Sequence, residues 1–193
     1  MQRFEIINTF IKNNNFKNYL EIGVFRGQNI REIIAEHKDG VDPTTELGKT
    51  IPEINFPITS DEFFELIKDH NIKYDVIFID GLHEYNQVYK DIMNSINYLK
   101  EDGCIILHDC LPTSIHQQAV PRYKSSWTGD VWKAIVNIRT KPELDTITCN
   151  IDHGLSIIRK KKNQDPLKIS VKNFKDLKFK DFYDNHKIYM RIM

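Results

Sequence analysis

Short apolar runs, several closed by an acidic residue, alternate with helical stripes through most of the chain. No other feature restricts the possible folds as much. The clearest run is Tyr74–Ile79, Tyr-Asp-Val-Ile-Phe-Ile, stopped by Asp80-Gly81. Others are Tyr19-Leu20-Glu21-Ile22-Gly23, Gly40-Val41 before Asp42-Pro43, and Cys104–Leu107 before His108-Asp109, with a weaker one at Phe56–Ile58. Between them apolar residues recur at helical spacing. The stripes are Phe4, Ile7, Phe10, Ile11; Ile30, Ile33, Ile34, running to about His37; Phe63, Leu66, Ile67; Val88, Ile92, Ile96, Leu99; and Val131, Ala134, Ile135, Ile138. Leu144–Cys149 and Leu155–Arg159, joined by Asp152-His153-Gly154, predict a hairpin. The alternation predicts an α/β fold, a mostly parallel sheet with helices on both faces, closed by one antiparallel strand. Residues 43–55, with Pro43, Gly48 and Pro52, read as a loop, and Asp102-Gly103 as a turn. Thr59-Ser60-Asp61-Glu62 reads as a capping box.

Composition removes several classes. A chain of 193 residues suits one domain with a sizeable core. Lys+Arg and Asp+Glu both number 27, so no whole-molecule field attracts DNA or RNA, and no nucleic-acid partner is expected. No apolar run approaches the ~20 residues of a membrane span. The first residues lack the pattern of a signal peptide. Cys104, Cys110 and Cys149 are odd in number and follow no metal spacing, which suits free thiols in a reducing, cytoplasmic setting. Past Arg159 the composition turns to Lys, Asn and Asp. Residues 1–160 therefore read as the domain. Residues 161–193 read as a tail whose Phe174, Leu177, Phe179, Phe182, Tyr183 and Ile188 dock on it, cover it as a lid, or form a homo-oligomer contact.

In an open α/β sheet, ligands bind beyond the carboxyl ends of the strands. The first such end reads Glu-x-Gly-x-x-x-Gly, over Glu21, Gly23 and Gly27. Glycines let the backbone turn sharply near a ligand. A pyrophosphate favours a glycine-rich turn on a helix N-terminus, but here an acid opens the turn and would repel phosphate. Asp42 ends the second strand where a carboxylate can accept from both ribose hydroxyls. Two acids favour a nucleoside with positive charge and no phosphates, a description that S-adenosylmethionine fits. The plainer reading makes Gly23 and Gly27 turn residues and Asp42 a cap.

The segments YLEIGVFRG, VDP, TSDEFF, YDVIFIDGLHEY, GCIILHDCLP and GDVWKAI, in this order, resemble class I S-adenosylmethionine-dependent methyltransferases over about residues 1–160. They are most similar to a compact subgroup often met in surface-sugar modification. The resemblance implies a Rossmann-like, seven-stranded sheet and methyl transfer from a sulfonium. It implies Glu21, Gly23 and Gly27 around the methionine part, Asp42 at the ribose, and Ser60-Asp61 at the adenine. Ser60-Asp61 reads equally as a plain helix cap. One departure is the short stretch 43–55, where many relatives place a full helix.

Asp80, His83 and Asp109 resemble the reaction centre of metal-dependent small-molecule O-methyltransferases. There two strand-end acids, here Asp80 and Asp109, hold a divalent metal ion, and a nearby base takes the hydroxyl proton. Histidine is tuned for that task near neutral pH. The alternative for His83 is a loop histidine bonded to backbone. Cys110 stands where those relatives commonly carry Asn, and a thiol suits a hard ion poorly. Adjacent strand residues point to opposite faces, so His108 and Asp109 are expected to share one site only if the chain bends. His108, Trp127 and Trp132 are the expected contacts to a small-molecule or saccharide acceptor, or else packing residues. Arg122, Tyr123 and Lys124 could meet an anionic acceptor. A nicotinamide oxidoreductase lacks its phosphate-binding loop here. A methyltransferase-fold binding module without turnover would have no need of Asp80, His83 and Asp109.

Overall fold

A computed structural model describes residues 1–43 and 51–193. Twelve α-helices and β-strands follow in chain order among the described residues: α1 (Arg3–Asn14), β1 (Asn18–Ile22), α2 (Gln28–Glu32), β2 (His37–Val41), α3 (Ser60–Leu66), β3 (Tyr74–Ile79), α4 (Tyr85–Tyr98), β4 (Leu99–Leu107), α5 (Val131–Arg139), β5 (Asp145–Cys149), β6 (Leu155–Arg159) and α6 (Phe179–Met190). The strands form one sheet in the order β2-β1-β3-β4-β6-β5. β2, β1, β3 and β4 run parallel, and β6 is antiparallel to both β4 and β5. This is the doubly wound architecture expected from the sequence, with six strands among the described residues.

The seventh expected strand is reduced to a single bridge. Phe56 N donates to Gly40 O at 3.0 Å and Asp42 N donates to Phe56 O at 3.2 Å, and pairing goes no further. Gly48, part of the expected loop, lies outside the described residues. The helix expected to reach His37 stops at Glu32. Ile33 is extended (φ −77°, ψ 130°), and His37 pairs with Asn18 in the sheet. Asp102-Gly103 lies inside β4, at the register shift between β3 and β4, rather than in a turn before it. The capping box stands: Thr59 Oγ1 accepts from Glu62 N, and Glu62 accepts from Thr59 N.

Side chains alternate across the sheet, as the pleat requires. Ile77, Ile79, Ile105 and Leu107 face the helices α3, α4, α5 and α6. Val76, Phe78, Cys104 and Ile106 face α1 and α2. Burial on both faces explains why these strands read as unbroken apolar runs. The tail ends in α6, whose Phe182 ring packs 5.0 Å from that of Trp132 on α5. No helix among the described residues is long and apolar enough to cross a membrane.

Candidate active site

The carboxyl ends of β1, β2, β3 and β4 open on one cleft of about 880 Å³. Its lining includes Glu21, Gly23, Asn29, Asp42, Ser60, Asp61, Asp80, His83, His108, Asp109 and Trp127. Gly27 does not line it; with φ +75° it starts α2 and shapes the turn. Gly23 has a sharper task. Its φ is +91°, and a Cβ there would lie 2.3 Å from the Asp80 carbonyl oxygen. Only glycine lets the ends of β1 and β3 approach so closely.

At the β1 end, Glu21 is 1% exposed. Its Oε2 accepts from the Tyr19 hydroxyl at 2.5 Å and from Asn29 Nδ2 at 2.8 Å. Burial pushes the carboxyl up to about 7, against the pull of those two hydrogen bonds. Asn29 Oδ1 is buried with no hydrogen-bond partner. A half-neutralised acid beside an orphaned carbonyl oxygen fits a cation with N–H donors. Asn29 is the residue that sequence reasoning missed here. Its only trace is its place two residues past Gly27, on the first turn of α2.

Asp42 follows β2 and is 6% exposed; its Oδ2 accepts from Phe25 N at 2.7 Å. At the far side, Gln87 Nε2 lies 3.2 Å from Ser60 Oγ, 3.1 Å from Asp61 Oδ1 and 3.0 Å from Asp91 Oδ1. Lys90 pairs with Asp61 at 2.6 Å and lowers its pKa, chiefly through that bond. Ser60-Asp61 thus belong both to a helix start and to the cleft wall.

At the ends of β3 and β4 Asp80, His83 and Asp109 converge, each offering a ligand atom within 4.8 Å of the others. His83 Nε2 lies 3.3 Å from Asp80 Oδ1. Its Nδ1 lies 3.2 Å from Asp109 Oδ2 but is out of line for a hydrogen bond, so it is buried without a partner. The two carboxylates suit a divalent cation, and the unpaired imidazole nitrogen beside them is open as a proton acceptor. Burial pulls the imidazole down, yet the Asp80 hydrogen bond and both carboxylates outweigh it, so His83 titrates above its ordinary range. Asp80 moves the opposite way: burial raises it, but His108 and His83 hold it well below the usual carboxylate range. The His83 loop is pinned from outside. Asp130 N donates to His83 O at 3.1 Å, and a Cβ on Gly129 would fall 1.8 Å from that oxygen. Trp127 stacks on the imidazole with centroids 5.1 Å apart.

The rule of opposite faces fails at His108-Asp109. Asp109 has φ +59°, the left-handed region, and this bend brings both side chains to one site. His108 Nδ1 lies 3.2 Å from Asp80 Oδ1 and 3.4 Å from Asp109 Oδ1, and its Nε2 lies 3.5 Å from Asp152 Oδ1. Burial lowers its pKa, but these three carboxylates raise it further, so the net shift is upward. Arg3, from α1, closes the cluster at 2.9 Å from His108 Nε2 and 3.5 Å from Asp152 Oδ2. Arg3 and Asp152 had no sequence signal, because both arrive from distant segments.

One other expectation needs correction. Trp132 is fully buried on α5, donates its indole N–H to Gln118 Oε1 at 3.0 Å, and does not line the cleft. The tail helix α6 covers it. Cys110 Sγ turns towards Leu107 O and His108 O, away from the acids, and burial pushes the thiol up to about 12.

A family model described as a methyltransferase domain matches residues 20–110. No curated protein matches the sequence. Similar solved structures include a putative caffeoyl-CoA O-methyltransferase from Staphylococcus aureus, with 21% identity, 83% of this chain and 84% of that chain covered, and a TM-score of 0.61. An O-methyltransferase from Bacillus cereus in complex with SAH shows 12% identity, 82% and 80% coverage, and a TM-score of 0.62. The MycE methyltransferase of the mycinamycin biosynthetic pathway, in complex with Mg, SAH and mycinamycin VI, shows 15% identity, 88% and 52% coverage, and a TM-score of 0.53. Residues 20–110 thus match a methyltransferase domain, and the chain shares the fold of these methyltransferases.

Proposed function

We propose that the protein transfers a methyl group from S-adenosylmethionine to a hydroxyl of a small-molecule or saccharide acceptor, within a domain spanning residues 1–160. One observation carries this reading. A single cleft holds both a cation-accepting pair, Glu21 and Asn29, and a proton acceptor, His83. S-adenosylmethionine, when bound, supplies an electrophilic methyl on a positively charged sulfur. Glu21 and Asn29 Oδ1 receive its ammonium group, Asp42 accepts from the ribose hydroxyls, and Ser60-Asp61 border the adenine. With Nε2–H directed at Asp80, His83 keeps the Nδ1 lone pair for the acceptor proton. It takes that proton as the O–C bond forms and the C–S bond breaks. A divalent ion held by Asp80 and Asp109 would lower the pKa of the acceptor hydroxyl.

Isothermal titration should show S-adenosylmethionine and S-adenosylhomocysteine binding, with turnover on an alcohol acceptor. No binding at millimolar cofactor removes the proposal. Chelation tests the ion. Turnover that falls with EDTA and returns with magnesium supports it, whereas turnover untouched by chelator leaves His83 to act alone.

Glu21 also fixes a pH dependence. Its carboxyl titrates at about 7 in the free protein, and a bound ammonium favours the ionised form. Above that pH the acid is already charged. Below it, binding must expel a proton, so affinity should weaken by up to about tenfold per pH unit. Titrations between pH 5.5 and 8 in two buffers of different ionisation enthalpy would read both the slope and the proton release. Glu21→Gln should flatten the slope, and a wild-type affinity independent of pH would remove Glu21 from the ammonium site.

A further inference from the structure

We infer that the acceptor carries an oxyanion, a carboxylate or a phosphate, which Arg122 holds while its hydroxyl faces His83. The inference rests on the methyl-transfer reading above and adds the acceptor's charge. Arg122 lines the cleft beside Ser125 and Trp127. Its guanidinium lies 5.6 Å from the Trp127 ring, and that ring lies 5.1 Å from the imidazole of His83. Trp127 contacts both groups, which puts the positive charge within about 11 Å of the base.

The guanidinium is held by its own loop. Nε donates to Lys124 O at 3.0 Å and Nη2 donates to Ser125 O at 2.8 Å. Of five N–H groups, three stay open: two on Nη1 and one on Nη2. They form the end-on fork that matches a carboxylate or phosphate with two parallel hydrogen bonds. Stacking and the two carbonyl bonds order the side chain before any ligand arrives, which lowers the cost of binding.

The neighbouring acids do not neutralise it. Asp80 is met by His83, His108 and Arg3, Asp109 by His83 and His108, and Asp152 by Arg3 and His108. No carboxylate pairs with Arg122 among the described residues. Tyr123, the next residue, turns away to stack on His116 at 5.2 Å. Of the basic and aromatic trio 122–124, only Arg122 lines the cleft.

The test uses the complex with S-adenosylhomocysteine, titrated with D-glucuronate, glucose 6-phosphate and neutral methyl glucoside. Binding of S-adenosylhomocysteine is measured first, and its failure would count against the methyltransferase reading rather than against Arg122. The expected result is that one anionic probe binds roughly tenfold or more tighter than the neutral one. The uronate and phosphate arms tell which oxyanion is preferred. Arg122→Gln should erase the margin at unchanged melting temperature, and Lys124→Gln should keep it. Equal binding of neutral and anionic probes, an unchanged margin in Arg122→Gln, or no probe bound at millimolar concentration overturns the inference.

Discussion

His83→Ala is expected to lower kcat by about 10²–10⁴-fold while leaving S-adenosylmethionine affinity nearly unchanged. The separation follows from where the side chain sits. His83 lies between Asp80 and Asp109, beside Trp127, whereas the ammonium-accepting pair is a separate set of side chains, Glu21 and Asn29, joined by its own hydrogen bond. Asp80 orients the ring through Nε2 and leaves Nδ1 without a partner, the arrangement a general base requires. A second readout distinguishes base from scaffold. In the free enzyme the surrounding acids outweigh burial and raise the imidazole above its ordinary 6.5. The neutral form therefore appears only as pH rises through that elevated value, and kcat/KM should climb over that range. In His83→Ala the limb should vanish, while the pH dependence of cofactor affinity due to Glu21 stays. A variant that loses cofactor affinity and turnover in equal measure would show that His83 only supports the cleft.

How much of this was legible beforehand depends on the range of the interactions involved. β3 and the end of β4 were readable because strands buried on both faces leave unbroken apolar runs, and the acids that end them mark the cleft. The hairpin of β5 and β6 was readable from Asp152-His153-Gly154, all three of which have positive φ. The lengths of α2 and β2 were not. Ile33 and Ile34 continue a helical stripe, but pairing of His37 with Asn18 draws the segment into the sheet. The sharing of one site by His108 and Asp109 depends on a left-handed aspartate, a conformation that no local pattern announces. Arg3 reaches His108 across 105 positions of sequence, and spacing arguments do not extend so far. The acids and histidines of the site were therefore visible one strand at a time, while Arg3, which meets Asp80 and Asp152, became visible only in three dimensions.

The two tryptophans show the same limit and lead to a sharp expectation. Trp127 and Trp132 flank Gly129-Asp130 and look alike in sequence, yet one lines the cleft and the other is core. Trp132→Ala should cost about 3–5 kcal/mol of stability, as large-to-small changes of buried aromatics do. For a chain of this size that is a fall in melting temperature of about 6–20 °C. Three losses add up there. The ring leaves a cavity on α5, Phe182 of α6 loses its contact, and Gln118 Oε1 loses its donor. Since α6 meets α5 through this ring, the tail should also become more open to proteolysis than the sheet. Trp127→Ala should do the reverse. It removes the ring that contacts both Arg122 and His83 and should depress turnover, with a much smaller change in melting temperature. Thermal melts and initial rates on the two variants decide the matter. If Trp132→Ala melts with wild type, or if Trp127→Ala unfolds as easily as Trp132→Ala, the division of one tryptophan to the core and one to the cleft is wrong.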